Sequence, residues 1–235
     1  MKYSFTGRIR YSEIGENRKL TMPALVNYFQ DCSNFQSEEL GIGIDWLKEK
    51  NCAWVLAAWQ IHVKRYPAMG ENVSTSTWAY DFKRFQGSRN FTMEDEQGEV
   101  IACANSIWVF MNLENGRPGQ IDAEDAGKYG ITEAYQEDFG ERKITLPKEE
   151  GETFESFPVM EYHLDMNHHV NNGQYIQIAQ GYLPADMEIK KLRAEYKVQA
   201  HLGDVLTPRR WKSEDGYIIT LEDANKKPYV IIEAK

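Results

Sequence analysis

The sequence predicts an α+β protein built from two successive copies of one unit, each a helix followed by an antiparallel meander. Three observations predict it. First, Tyr66-Pro-Ala-Met-Gly70-Glu71 leads to Trp78, and Gln199-Ala-His-Leu-Gly203-Asp204 leads to Trp211, so that a Gly-acidic pair and a tryptophan recur at an offset of 133. Second, Phe91-Thr-Met-Glu-Asp95 recurs as Ile219-Thr-Leu-Glu-Asp223 at an offset of 128. Two matches in the same order mark a duplication, and the smaller second offset implies a shorter hairpin in the second copy. Third, each copy opens with a segment of helical periodicity and continues in runs rich in Val, Ile, Trp, Thr and Tyr.

In the first helix Leu25, Tyr28, Phe29, Cys32 and Phe35 form one apolar stripe; Thr21 is the expected cap, Pro23 suits the first turn and Gly41 ends it. Strands are expected over residues 53–66, 72–82, 89–96 and 100–113. The second helix begins at Asn172 and stops near Gly181, with a short strand (157–162) before it and an apolar strand (229–233) near the end. The Gly-, Pro- and Glu-rich stretch from Asn115 to Thr153, with a short helical piece at 122–128, reads as the connection. The expected division is an N-terminal unit over 1–130, an acidic linker over 131–155 and a C-terminal unit over 156–235. A curved sheet around a central helix lets each half bury both, and two such sheets can join edge to edge.

Composition narrows the partners. The 235 residues carry 27 basic and 36 acidic side chains, net −9, so nucleic acid, which needs a basic field, is not expected. No run of about 18 apolar residues is present, so no membrane span is expected, and the N-terminus lacks the apolar core of a secretion signal, which points to the cytoplasm. Cys32, Cys52 and Cys103 are too few and too scattered for a disulfide framework or a cysteine zinc site. Against the acidic background, residues 187–212 hold seven basic side chains and three acidic ones. Lys190, Lys191, Arg193, Arg209 and Arg210 therefore suit either an acidic partner at short range or a solvated strand edge guarded by cations.

The densest polar cluster is Tyr162-His-Leu-Asp165-Met-Asn167-His168-His169-Val-Asn171-Asn172, just before the second helix. A carboxylate can act as general base or nucleophile, an imidazole as acid, base or orienting group, and backbone N–H groups at a helix start can face an oxyanion. The same residue types also serve turns and caps. Spacings of five and one among His163, His168 and His169 do not gather three metal ligands on regular structure, so no metal is expected.

The order Asp165-Met-Asn167-His-His169-Val-Asn-Asn-x-x-Tyr175 resembles the active-site segment of the acyl-acyl carrier protein thioesterases, the plant plastid and bacterial enzymes that release fatty acids. The likeness extends to Asn27-Tyr-Phe-Gln-Asp-Cys, Leu40-Gly-Ile-Gly, Glu195-Tyr-Lys and the repeat. It implies a fused pair of hotdog domains, catalytic roles for Asp165, Asn167 and His169, and an acyl carrier protein as partner. No cofactor is implied, and the oligomeric state is left open, a homodimer included. One departure stands out: where plant members carry a Glu-Cys pair, this chain has Gln199-Ala200. Gln199 can position a water as an auxiliary but cannot take its proton, which leaves the base role to Asp165 or His169; the adjacent His201 can substitute or simply sit in solvent. The first copy has no histidine upstream of its helix, so one active site per chain is expected. Trp54 and Trp59 would line an acyl cavity in the first half, which holds five of the six tryptophans, and Asn171 and Asn172 would help bind substrate through backbone N–H groups. Two alternatives are an acyl-CoA thioesterase and a non-catalytic acyl-binding protein.

Overall fold

A computed structural model describes all of residues 1–235. The chain forms two α+β units. The first holds residues 1–57 and 61–139, the second 58–60 and 140–235.

In the first unit a strand β1 (Tyr3–Arg8) and a 3₁₀ turn (Tyr11–Glu13) lead into α1 (Met22–Glu39) and a short α2 (Ile44–Glu49). Thr21 caps α1, its hydroxyl accepting the Ala24 N–H at 3.3 Å, and Pro23 sits in the first turn. Strands β2 (Cys52–Val63), β3 (Asn72–Lys83), β4 (Gln86–Glu94) and β5 (Val100–Asn112) follow. Their order is β1-β3-β4-β5-β2, with β6 (Arg117–Pro118) on β5. Leu25, Phe29 and Cys32 of α1 are buried, with Phe29 5.3 Å from the ring of Phe91 and Cys32 donating to the Thr75 carbonyl at 3.4 Å. Phe35 departs from the expected stripe. It is exposed and lies edge-on to Phe5, because the buried face of the helix passes from Cys32 to Gln36, which is buried and bonded by Arg89 of β4, and leaves Phe35 to one side. After α3 (Ala123–Tyr129) the chain runs back over the unit, where the Trp78 indole donates to the Glu133 carbonyl at 2.9 Å.

In the second unit β7 (Glu152–Thr153) and β8 (Phe157–Pro158) precede a 3₁₀ turn (Glu161–His163) and α4 (Asn172–Gln180). The strand expected over 157–162 is thus only two residues long, since the backbone turns at Met160, whose N–H donates to His163 Nδ1. Strands β9 (Lys191–Tyr196), β10 (Val205–Lys212), β11 (Tyr217–Glu222) and β12 (Pro228–Ala234) form an antiparallel sheet in the order β9-β12-β11-β10-β7. Tyr175, Ile176 and Ala179 of α4 are buried beside this sheet, as the helical spacing requires.

The duplication is explicit in backbone detail. Gly70 and Gly203 share a left-handed conformation, at φ +85° and +84°. Asp95 accepts the N–H groups of Gln97 and Glu99 as Asp223 accepts those of Asn225 and Lys227. The Trp211 indole donates to the Glu149 carbonyl at 2.9 Å, repeating the bond of Trp78. β10 and β11 are shorter than β3 and β4, which is the shortened hairpin the two offsets imply.

Candidate active site

The segment before α4 folds as a tight loop closed by a bridge between Leu164 and Val170. Asp165 N–H donates to the His169 carbonyl at 2.8 Å, and His168 takes a left-handed conformation (φ +59°) while donating to the Asp165 carbonyl. Asp165 Oδ1 accepts the N–H groups of Asn167 and His169 at 2.8 and 3.3 Å. One carboxylate oxygen is therefore committed to the loop, and Oδ2 remains for chemistry. Asn167 is exposed, and its carboxamide has no hydrogen-bond partner in the chain.

The same loop exists in the first copy, 150 residues earlier. Ile14 bridges Leu20, Gly15 N–H donates to the Lys19 carbonyl, and Arg18 takes φ +60°. Glu13 accepts the Arg10 N–H where His163 accepts that of Met160. Asn17 Oδ1 takes the Lys19 N–H, relieving the position of Asp165 of its turn duty. The backbone thus forms with Gly15 and Lys19 where the second copy has Asp165 and His169. His163, by contrast, is a structural residue: it is buried, its Nδ1 is spent on the turn, and burial lowers its pKa.

His169 is half-buried, and its ring stands edge to face with that of His201, centroids 4.7 Å apart. Burial lowers its pKa below the ordinary histidine value, and His201 and His168 add to this against the opposing pull of Asp165. It is a neutral imidazole at pH 7, with one donor and one acceptor. His201 reaches the loop through two bonds: Val170 N–H donates to the Ala200 carbonyl at 3.0 Å, and Ala200 N–H donates to Tyr175 Oη at 2.9 Å. Tyr196 Oη in turn donates to the Asn172 carbonyl at 3.0 Å. These tyrosines fix the end of β9 against the start of α4. Tyr175 is visible in the motif; nothing in the sequence marks Tyr196 for this task.

Asn171 caps α4, its Oδ1 accepting the Gly173 N–H at 2.8 Å, and its own N–H donates to the His163 carbonyl. The expectation that the N–H group at Asn171 faces an oxyanion is therefore corrected: capping and the turn consume it. Gln199 is exposed beside the buried Ala200. Nowhere do His, Cys, Asp and Glu side chains gather in a group of three that could hold a metal ion. No helix is long and apolar enough to cross a membrane.

Trp54 packs against Phe110 and Phe82 in the first unit, at 5.0 and 6.2 Å between ring centroids, whereas the buried Trp59 falls in the three residues grouped with the second unit. The basic run also divides. Arg209 is buried against Glu222 at 3.3 Å, Arg210 pairs with Glu152 and donates to the Tyr182 carbonyl, and Arg193 pairs with Glu233 at 2.7 Å. Their charges are neutralised inside the unit, which corrects the expectation that they face a partner. Lys190, ion-paired with Glu188, and Lys191 are exposed at the start of β9.

Known proteins are similar to this chain in sequence and fold. Residues 1–129 match the acyl-ACP thioesterase N-terminal domain and residues 147–235 the C-terminal domain. Oleoyl-acyl carrier protein thioesterase 1 of Arabidopsis thaliana, a chloroplastic protein, is 25% identical over 223 residues, covering 84% of this chain and 60% of that protein. The chain thus spans somewhat under two thirds of that relative's length. The fold is that of a 12:0-ACP thioesterase from Umbellularia californica (TM-score 0.88, 20% identity, 100% of this chain and 95% of the other). It is equally that of an acyl-ACP thioesterase from Bacteroides thetaiotaomicron (TM-score 0.85, 22% identity, 99% and 96%). With both domain types matched in order, and two α+β units each holding a helix against its sheet, the chain is a double-hotdog protein and belongs to the acyl-ACP thioesterase family.

Proposed function

We propose that this protein hydrolyses the thioester of a fatty acyl-acyl carrier protein, releasing the free acid and the carrier thiol. The observation that carries the reading is the pair of equivalent loops. Gly15 and Lys19 keep the same backbone with Asn17 Oδ1 as the turn's acceptor, so the imidazole of His169 and the second carboxylate oxygen of Asp165 exceed what the turn uses. Side chains in excess of structural need, grouped on one loop, are what a reaction site demands.

In this mechanism the substrate carbonyl lies over the loop. The unpartnered Asn167 amide donates to the carbonyl oxygen and stabilises the negative charge that develops there. Asp165 Oδ2 aligns the attacking water or adds to the carbonyl carbon itself. Neutral His169 donates its N–H to the carboxylate or the leaving sulfur. The acyl chain would lie in the first unit, with Trp54 among its contacts, at about 0.8 kcal/mol per buried methylene. Lys190 and Lys191 are the cations proposed to meet an acidic carrier, in the cytoplasm.

The test is thiol release from carrier proteins bearing C8 to C18 acyl groups, for the wild type, Asp165→Ala and His169→Ala, with the same acyl groups on CoA alongside. Turnover by wild type that collapses in both variants supports the reading, and a higher rate on the carrier supports the partner. Absence of turnover on every thioester defeats it.

A further inference from the structure

The duplicated scaffold marks one more side chain as surplus to the fold. His201 lies in the turn His201-Leu-Gly203-Asp204, whose counterpart is Ala68-Met-Gly70-Glu71 at the offset of 133. The two turns are built alike. Asp204 Oδ2 accepts the His201 N–H at 2.9 Å, as Glu71 Oε2 accepts the Ala68 N–H at 3.0 Å. Each is joined to its loop by the same bond, Val170 N–H to the Ala200 carbonyl and Leu20 N–H to the Pro67 carbonyl. An alanine therefore makes this turn as well as a histidine does, and the imidazole has no structural duty.

What it touches is the reaction site. The ring meets His169 at 4.7 Å, Asp204 Oδ2 lies 3.8 Å from its Nδ1, and the side chain is 60% exposed, open to water. The residue two before it is Gln199, which has no basic lone pair to accept a proton. Asp165 Oδ1 is already engaged by two N–H groups. The titratable groups against the imidazole are His169 and Asp204; His168 and Asp165 act on His169, and Tyr229 bonds Asp204 from β12.

We infer that His201, with Nδ1 turned to Asp204, is the general base that takes the proton of the attacking water. This rests on the thioester-hydrolase reading above. The water oxygen bonds to the carbonyl carbon while its proton passes to Nε2. The carbon–sulfur bond then breaks, the leaving thiolate takes that proton back, and His201 returns neutral. Asp204 is a positioning residue in this scheme: its Oδ2 holds the His201 N–H, and its charge, 3.8 Å from Nδ1, steadies the imidazolium that forms.

The experiment measures kcat, KM and the pH profile of thiol release from C8 to C18 acyl-carrier proteins for wild type, His201→Ala, His201→Gln, Asp204→Asn and the double variant His201→Ala/Gln199→Glu, with melting temperatures for each. The expected result is a fall in kcat of ~10²-fold or more in both His201 variants at little change in KM. The double variant should recover at least about tenfold, its acid limb moved toward the carboxylate range, because the introduced carboxylate restores a proton acceptor beside the same site. Asp204→Asn should shift the acid limb without abolishing turnover. If His201→Ala and His201→Gln melt like the wild type and keep kcat within about threefold, far short of a lost general base, the inference is overturned while the hydrolase reading stands. If the wild type releases no thiol, both fall together.

Discussion

His169 and His201 meet edge to face, with 4.7 Å between ring centroids and 77° between ring planes. A charge on one imidazole so placed disfavours a charge on the other. Burial of His169, followed by the presence of His201, keeps its neutral form favoured. The His169 ring should therefore take up its second proton only below the ordinary histidine value of 6.5. An NMR titration of the His169 ring checks this; a midpoint at or above that value contradicts it.

Stability should follow the same groups. His163 and His169 both have lowered pKa values in the folded state. As pH falls through about 6.5 the unfolded chain binds protons that the folded one refuses, so stability is full above that value and declines below it. Urea midpoints at pH 7.5 and 5.5 should show the drop, and His163→Gln, which keeps an acceptor for the Met160 N–H, should reduce its size.

Asp165 has two jobs that substitution can separate. Asparagine keeps an oxygen for the Asn167 and His169 N–H groups, whereas alanine leaves both without an acceptor. Asp165→Asn should cost no more than about 0.5 kcal/mol of stability, Asp165→Ala about 1–2 kcal/mol, and both should lose ~10²-fold or more of kcat. Denaturation curves beside thiol-release rates test the split.

Substitution distinguishes buried arginine from surface lysine. Arg209→Ala leaves the buried Glu222 without its cation and should cost about 3–5 kcal/mol, read from denaturation curves. Lys190→Glu/Lys191→Glu should leave the melting temperature nearly unchanged and raise KM for acyl-carrier protein several-fold at low salt, an effect that fades as salt screens it.

Thiol reagents should leave activity intact. Burial pushes the thiols of Cys32 and Cys103 up to about 12, so neither offers thiolate at neutral pH. Cys52, half-buried at the start of β2, should be the first to label in the native protein. Mass spectrometry after brief alkylation, with a parallel rate measurement, decides the point.

The fold is legible in the sequence because duplication writes itself in punctuation. Gly70 and Gly203, Asp95 and Asp223, and Trp78 and Trp211 each hold a fixed geometric duty, so their spacing survives while the strands between them diverge. The helix stripe is legible as far as Cys32 and fails at Phe35, since the buried face continues through the polar Gln36, which a count of apolar residues passes over. Asp165, Asn167 and His169 are visible as a cluster. Their distinction from Asn171 and His163 is not, because a capping amide and an unpartnered one have the same one-letter code until hydrogen bonds are assigned. The basic run misleads for a similar reason: the glutamates that neutralise Arg193, Arg209 and Arg210 lie 13 to 58 residues away in the chain.

The first copy of the loop is an unused foundation. A Cβ added at Gly15 would meet only Asn17 Oδ1 and Thr21 Cγ2, both at 3.6 Å, an ordinary contact distance, and φ there needs no glycine. Gly15→Asp, Lys19→His and Ala68→His would therefore write the second copy's three side chains onto a backbone already shaped for them. Half of this molecule is in that sense a vacant template for design, on which the side chains of the proposed reaction centre could be written a second time.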